Sequence, residues 1–191
     1  MTPTTLASFP EELLERILAL CLAPPVLPVP RPYWHVSAPA SKSSARFPAS
    51  RTRTAPLLVS KRWLRIATPL VYNTLRIHSP AHAALISCTF ASNPALAHHV
   101  RCLVVSGVWP EIAPVTRACR WLEILDVTLD ASWLPESEAF AETAAFSNSL
   151  VRLDIRHLIV RKANVYLSQP KPRHVIAGLA RAISHWRHLV S

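Results

Sequence analysis

Apolar positions along the chain follow three rhythms, and each predicts a different kind of structure. Between residues 9 and 21, Leu13, Leu14, Ile17, Leu18 and Cys21 recur at the three- and four-residue spacing of a helix that buries one face. Ser8 is placed to cap it, Pro10 fits the first turn where no amide donor is needed, and Glu11 and Glu12 suit the positive end of the helix dipole. Between residues 57 and 75, Val59, Trp63, Ile66, Ala67 and Leu70 share a second helical face, with Lys61, Arg62 and Arg65 directed elsewhere. Pro69 is expected to end that helix, because its ring disfavours helical geometry in the residue before it.

The rhythm disappears between these segments. Residues 22–55 begin with Ala23-Pro24-Pro25-Val26-Leu27-Pro28, a polyproline II composition, and continue into a Ser-, Ala- and Arg-rich stretch from 41 to 54. The expectation is a disordered tether, since a long insertion adds little loop-closure cost. A Pro-x-x-Pro ligand at Pro25 to Pro28 and phosphate acceptors at Ser41, Ser43 and Ser44 rank below that reading. Pro32-Tyr33-Trp34-His35 is an aromatic cluster able to pin the loop.

After residue 78 strands and helices alternate. Ser79-Pro80 opens a helix to about residue 91, Asn93-Pro94 a short one to 98, and residues 100–106 read as a strand left through Gly107 and Pro110. A helix over 111–120 leads to a strand at 122–127. Leu122-Glu123-Ile124-Leu125-Asp126-Val127 is repeated in form by Leu150-Val151-Arg152-Leu153-Asp154-Ile155, which predicts a third strand. Residues 164–173 read as a surface connection, 173–186 as a last helix, and His188-Leu189-Val190 as the opening of another strand. Leu103, Leu125 and Leu153 then occupy equivalent places, 22 and 28 residues apart. That spacing lies within the range of about 20 to 29 typical of leucine-rich repeats, although the usual Asn or Cys after the strand is missing. The fold class expected is α+β: a helical module over 1–77 split by the 22–55 insert, then an irregular α/β repeat unit with a short parallel sheet over 78–191. The apparent strand at the end predicts that the array is incomplete there or that its last repeat is exposed.

The first two segments carry a resemblance. Phe9-Pro10-Glu11-Glu12-Leu13-Leu14, then Ile17-Leu18, then Val59-Ser60-Lys61-Arg62-Trp63, Ile66-Ala67 and Pro69-Leu70-Val71-Tyr72 follow, in order, most of the pattern of an F-box. Phe9 stands for the usual Leu, and the insert replaces a short connection. With its second half the chain resembles fungal F-box proteins in which a divergent repeat region follows the F-box. The resemblance implies a subunit that docks on the Skp-family adaptor of a cullin-RING ubiquitin ligase and presents an unidentified protein target. On that reading Pro10, Leu13, Leu14, Ile17, Leu18, Val59, Trp63 and Ile66 touch the adaptor or support the contact, with Leu14 and Trp63 able instead to join the two helices. Two ordinary core helices, and a small parallel unit of another kind, are the plainer readings.

Charge sharpens the partner. No Asp or Glu occurs between Glu15 and Glu111, while eleven Lys and Arg do, within a net charge of +10. Such a stretch favours an acidic protein partner or a nucleic acid. The absence of a helix-turn-helix, zinc-finger or RNA-recognition pattern ranks nucleic acid second, and a purely structural repeat scaffold third.

Catalytic chemistry finds few handles. With only Gly107 and Gly178, neither a P-loop nor a dinucleotide turn can be built. Ser106-Gly107 lacks the preceding Gly of a nucleophile elbow. His98-His99 and the pair His185/His188 have no His-Glu-x-x-His context, and Cys102 beside His98 or His99 is a poor metal set. No catalytic residue, metal or cofactor is assigned, and the chain is read as a non-enzyme. Cys21, Cys88, Cys102 and Cys119 are widely spaced, without a Cys-x-x-Cys pair, and read as reduced core thiols. No apolar run approaches the roughly 18 residues of a membrane span, and Glu11, Glu12 and Glu15 oppose a signal peptide. A cytoplasmic or nuclear location is expected.

Overall fold

A computed structural model describes residues 9–22, 54–129, 136–162 and 167–189. Ser8, the insert from 23 to 53 with its Pro-x-x-Pro, serine and aromatic positions, residues 164–166 and Val190 lie outside the described residues. The class is α+β. Two compact units divide the chain, Met1–Val71 and Tyr72–Ser191. The division falls before the expected boundary at 77, because residues 74–77 pair as a strand of the second unit.

The first unit is helical. Helix α1 (Glu11–Leu22) extends through Leu22, one residue into the expected insert, and a 3-10 turn (Ala55–Leu58) precedes α2 (Lys61–Asn73). Leu14, Leu18 and Leu22 from α1 and Ala67 from α2 are buried together, with Phe9, Leu57, Trp63, Ile66, Leu70 and Val71 packed against them. Ser60 caps α2, its Oγ accepting from the Trp63 amide at 3.2 Å. Pro69 does not end this helix, contrary to expectation. An interior proline costs about 3 kcal/mol. Leu70 and Val71, just beyond it, join the core, and that burial offsets the missing hydrogen bond.

The second unit is built on four parallel strands in sequential order: β1 (Thr74–Ile77), β2 (Cys102–Val105), β3 (Ile124–Leu129) and β4 (His157–Lys162). Their register aligns Leu75, Leu103, Leu125 and Leu158, and next to them Ile77, Val105, Val127 and Val160. Helices α3 (Pro80–Ser92), α4 (Pro94–Ala97), α5 (Ile112–Ala118), α6 (Glu136–Leu150) and α7 (Pro170–Ile183) complete the unit. They supply Ala83, Phe90, Ile112, Val115, Phe146 and Leu179 to the core that covers the leucine face. As expected, Ser79 caps α3, accepting from the His82 amide. The backbone just before β2 and just before β3 makes the same bonding pattern. The Arg101 carbonyl accepts from Glu123 and Ile124, and the Glu123 carbonyl accepts from Arg156 and His157.

Three expectations in this unit are corrected. Residues 150–155 are not a strand: Leu150 ends α6, Leu153 and Ile155 enter the core from a turn, and β4 follows at 157–162. Leu158, not Leu153, is therefore the partner of Leu125. His188 and Leu189 form no strand, and the Asp154 carboxylate instead accepts from the amides of Arg187 and His188. Nor is the segment before the last helix wholly a surface connection, since Pro170 begins α7 and Gln169, Lys171 and Pro172 are buried.

One buried ion pair crosses the sheet. Asp126 on β3, nearly inaccessible, receives Arg161 of β4 in a fork: Nε to Oδ1 at 2.8 Å and Nη2 to Oδ2 at 2.8 Å. The bond to Asp126 raises the Arg161 pKa above its ordinary value, against a smaller opposing effect of burial.

Where α6 meets α7, Gly178 admits no side chain: a Cβ there would lie 2.0 Å from Ser147 Oγ and 2.6 Å from its Cβ. Gly178→Ala should lower stability by about 1–3 kcal/mol in denaturant unfolding, although alanine is the better helix former. Ser147→Gly in the same chain should recover part of the loss, and Ser147→Ala should not, because the Cβ clash survives.

Candidate functional site

The first unit fixes its two helices by charge as well as packing. Arg62 Nε donates to Glu11 Oε1 at 3.2 Å, Arg62 Nη2 donates to the Phe9 carbonyl at 2.5 Å, and Arg65 bonds the same Glu11 carboxylate. Exposed pairs of this kind contribute about 0–1 kcal/mol. The leucines therefore hold the unit together, and the arginines set how the start of α1 lies on α2.

The eight residues expected to dock a partner separate into two groups. Leu14 and Leu18 are buried, and Trp63 and Ile66 are half-buried against them, so these four join the helices to each other. Pro10, Leu13, Ile17 and Val59 are exposed. Helix α1 thus carries two stripes rather than one: Leu14, Leu18 and Leu22 face inward, while Leu13, Ile17 and Leu20 stand 47%, 45% and 79% exposed. The centres of the stripes lie about 130° apart around the helix. Leu58, Val59 and Leu64 add exposed apolar surface, Leu58 at 87%. Leu20, Leu58 and Leu64 were not among the expected contacts. Leu20 was legible, since it continues the spacing of Leu13 and Ile17; the apolar arc of α1 spans about 200°, twice what a single core contact uses.

The chemistry of the second unit is sparse. The four cysteines are free, and Cys102 and Cys119 are buried as expected. Cys21 and Cys88 are exposed, which corrects their reading as core thiols. Burial pushes the Cys119 thiol up to about 12; burial also raises Cys102, with a further push from Asp126. Both stay protonated near neutrality. His78 Nδ1 lies 3.0 Å from Ser106 Oγ at the ends of β1 and β2. Burial, then His82 and Arg76, lower the His78 pKa. Among the described residues no carboxylate is bonded to that ring, so the pair lacks the third member of a nucleophilic relay. His98, His99 and Cys102 are not part of any metal-ligating group of three or more among those residues.

Compared with known proteins, the chain matches no family model, no curated protein and no solved structure. Among the described residues no helix is long and apolar enough to cross a membrane.

Two measurements check this geometry. Leu18→Ala should destabilise the chain by about 2–5 kcal/mol, whereas Ile17→Ala, on the exposed stripe, should stay within about 0.5 kcal/mol in the same unfolding assay. At the other end of the chain, the bond from His188 Nδ1 (2.5 Å) chiefly holds the Asp154 carboxyl below its ordinary value, aided by the Arg187 and His188 amides. A carboxyl depressed in the folded state stabilises above its unfolded pKa and loses that contribution as pH falls through the folded one. Hydrogen exchange at Arg187 and His188 should therefore accelerate as pH drops below the ordinary carboxylate range, beyond the intrinsic rate change, and Asp154→Asn should abolish that extra acceleration.

Proposed function

We propose that the chain is an F-box-type substrate-receptor subunit. Its first unit docks on the Skp-family adaptor of a cullin-RING ubiquitin ligase, and its second, a divergent leucine-rich-repeat-like array, presents a protein target. The observation that carries the reading is the outer stripe of α1. Leu13, Ile17 and Leu20 remain exposed while a separate set of leucines satisfies the core, and an apolar helix face left over after packing is what a helical partner covers. The ordered motif from Phe9 to Tyr72 names the partner class, and charge agrees with it: Met1–Val71 contains nine Lys and Arg against three Glu, a balance that attracts an acidic surface.

The register Leu75, Leu103, Leu125, Leu158 supports the repeat reading, because four equivalent leucines on sequential parallel strands are what a stacked array places on its core side. The 33 residues from Leu125 to Leu158 exceed the usual repeat, and α6, the longest helix described, occupies much of that length. The function would rest on proximity: a target held beside the ligase's charged conjugating enzyme experiences a high effective concentration of ubiquitin donor, and the ligase supplies the chemistry.

Co-expression with a Skp-family adaptor should yield a complex that survives size-exclusion chromatography. Leu13→Asp with Ile17→Asp should abolish it while the thermal melt of the isolated chain stays unchanged. No complex with the unaltered chain, or an unaltered complex with the double variant, overturns the reading. Salt-sensitive retention of duplex or single-stranded nucleic acid in its place would favour the basic binding module instead.

A further inference from the structure

We infer that the second unit holds a site for a phosphoryl group in the cleft lined by Arg117, Arg120, Ser149, Arg152 and Leu153, a space of about 430 Å3 open to solvent. This inference does not rest on adaptor docking.

Three arginines line one cleft, and no carboxylate is among its lining residues. The acids that follow these arginines closely in sequence are engaged elsewhere: Glu123 pairs with Arg101 at 3.7 Å, and Asp154 is taken by His188 and the amides of Arg187 and His188. Backbone acceptors at the end of α6 are also occupied. The Phe146 carbonyl accepts from Ser149 Oγ at 2.6 Å, and the Leu150 carbonyl accepts from Trp186 Nε1 and the Leu153 amide, both at 3.1 Å. Arg117 is anchored by its Nε to the Ala113 carbonyl at 3.2 Å, leaving its terminal nitrogens available.

The packing therefore gathers three cationic side chains around a concave place with no acid among the lining residues. Three like charges around one cleft repel each other, and an anion of charge near −2 with several acceptor oxygens relieves that repulsion. Arginine suits such a ligand because its planar fork donates two parallel hydrogen bonds to a phosphate, which a lysine cannot do. Leu153 and the committed Ser149 hydroxyl form the remaining wall, so recognition falls to the arginines. A phosphoryl group reaches the cleft either on a free small phosphate or on a phosphorylated side chain of a peptide; the chemistry recognised is the same.

The test is a titration of the full chain, following arginine Nε–H resonances by NMR, with inorganic phosphate, with a phosphoserine peptide and its unphosphorylated form, and with chloride at equal ionic strength. Saturable shifts at Arg117, Arg120 and Arg152 are expected with phosphate and the phosphopeptide, and none with chloride or the plain peptide. Arg120→Gln with Arg152→Gln should weaken binding at least about tenfold without altering the thermal melt, and Arg152→Lys should weaken it less. Tighter binding of the phosphopeptide assigns the group to a chain, and tighter binding of inorganic phosphate to a free ligand; each supports the site. Linear shifts, equal response to chloride, or unchanged affinity in the double variant overturns it.

Discussion

Parallel pairing of four short strands governs the second unit, because the register that aligns Leu75, Leu103, Leu125 and Leu158 also determines what each connecting segment must do. Parallel neighbours cannot be joined by a hairpin, so each connection has to cross back over the sheet, and here each crossing contains helix. Those helices bury the leucine face, which leaves the alternate positions of the strands to carry Asp126 and Arg161. Backbone bonds tie the starts of successive strands, the Arg101 and Glu123 carbonyls each accepting two amides from the segment that opens the next strand.

The sequence conveyed the alternation of helices and strands but not the position of the last strand. Leu150-Val151-Arg152-Leu153-Asp154-Ile155 copies the form of β3 closely, yet a pattern of side chains does not specify which backbone is free to pair. Leu150 is the last residue of a 15-residue helix, and Asp154 is used to hold residues 187 and 188. The run Leu158-Ile159-Val160 was the better strand candidate, since a short apolar stretch with β-branched residues signals a strand without alternation. Pro69 illustrates the opposite error, a local rule overridden by tertiary burial on its far side.

In the first unit the location of the helices was legible and the division of labour within α1 was not. Leu13, Leu14, Ile17 and Leu18 share one spacing, and periodicity cannot tell a stripe that meets a core from its neighbour that meets nothing. Width was the available signal. Charge was similarly ambiguous: the acid-free stretch identified a basic chain, but the convergence of Arg117, Arg120 and Arg152 depends on α5, α6 and their following turns coming together, residues more than 30 positions apart.

The outer stripe of α1 has a consequence for the chain before any partner reaches it. A newly made copy displays Leu13, Ile17 and Leu20 to every other copy, and exposed apolar faces are prone to associate at high concentration. With the proposed partner covering the stripe, synthesis in excess of that partner would drive self-association, so the partner's abundance, rather than the rate at which this chain is made, would set how much of it stays dispersed.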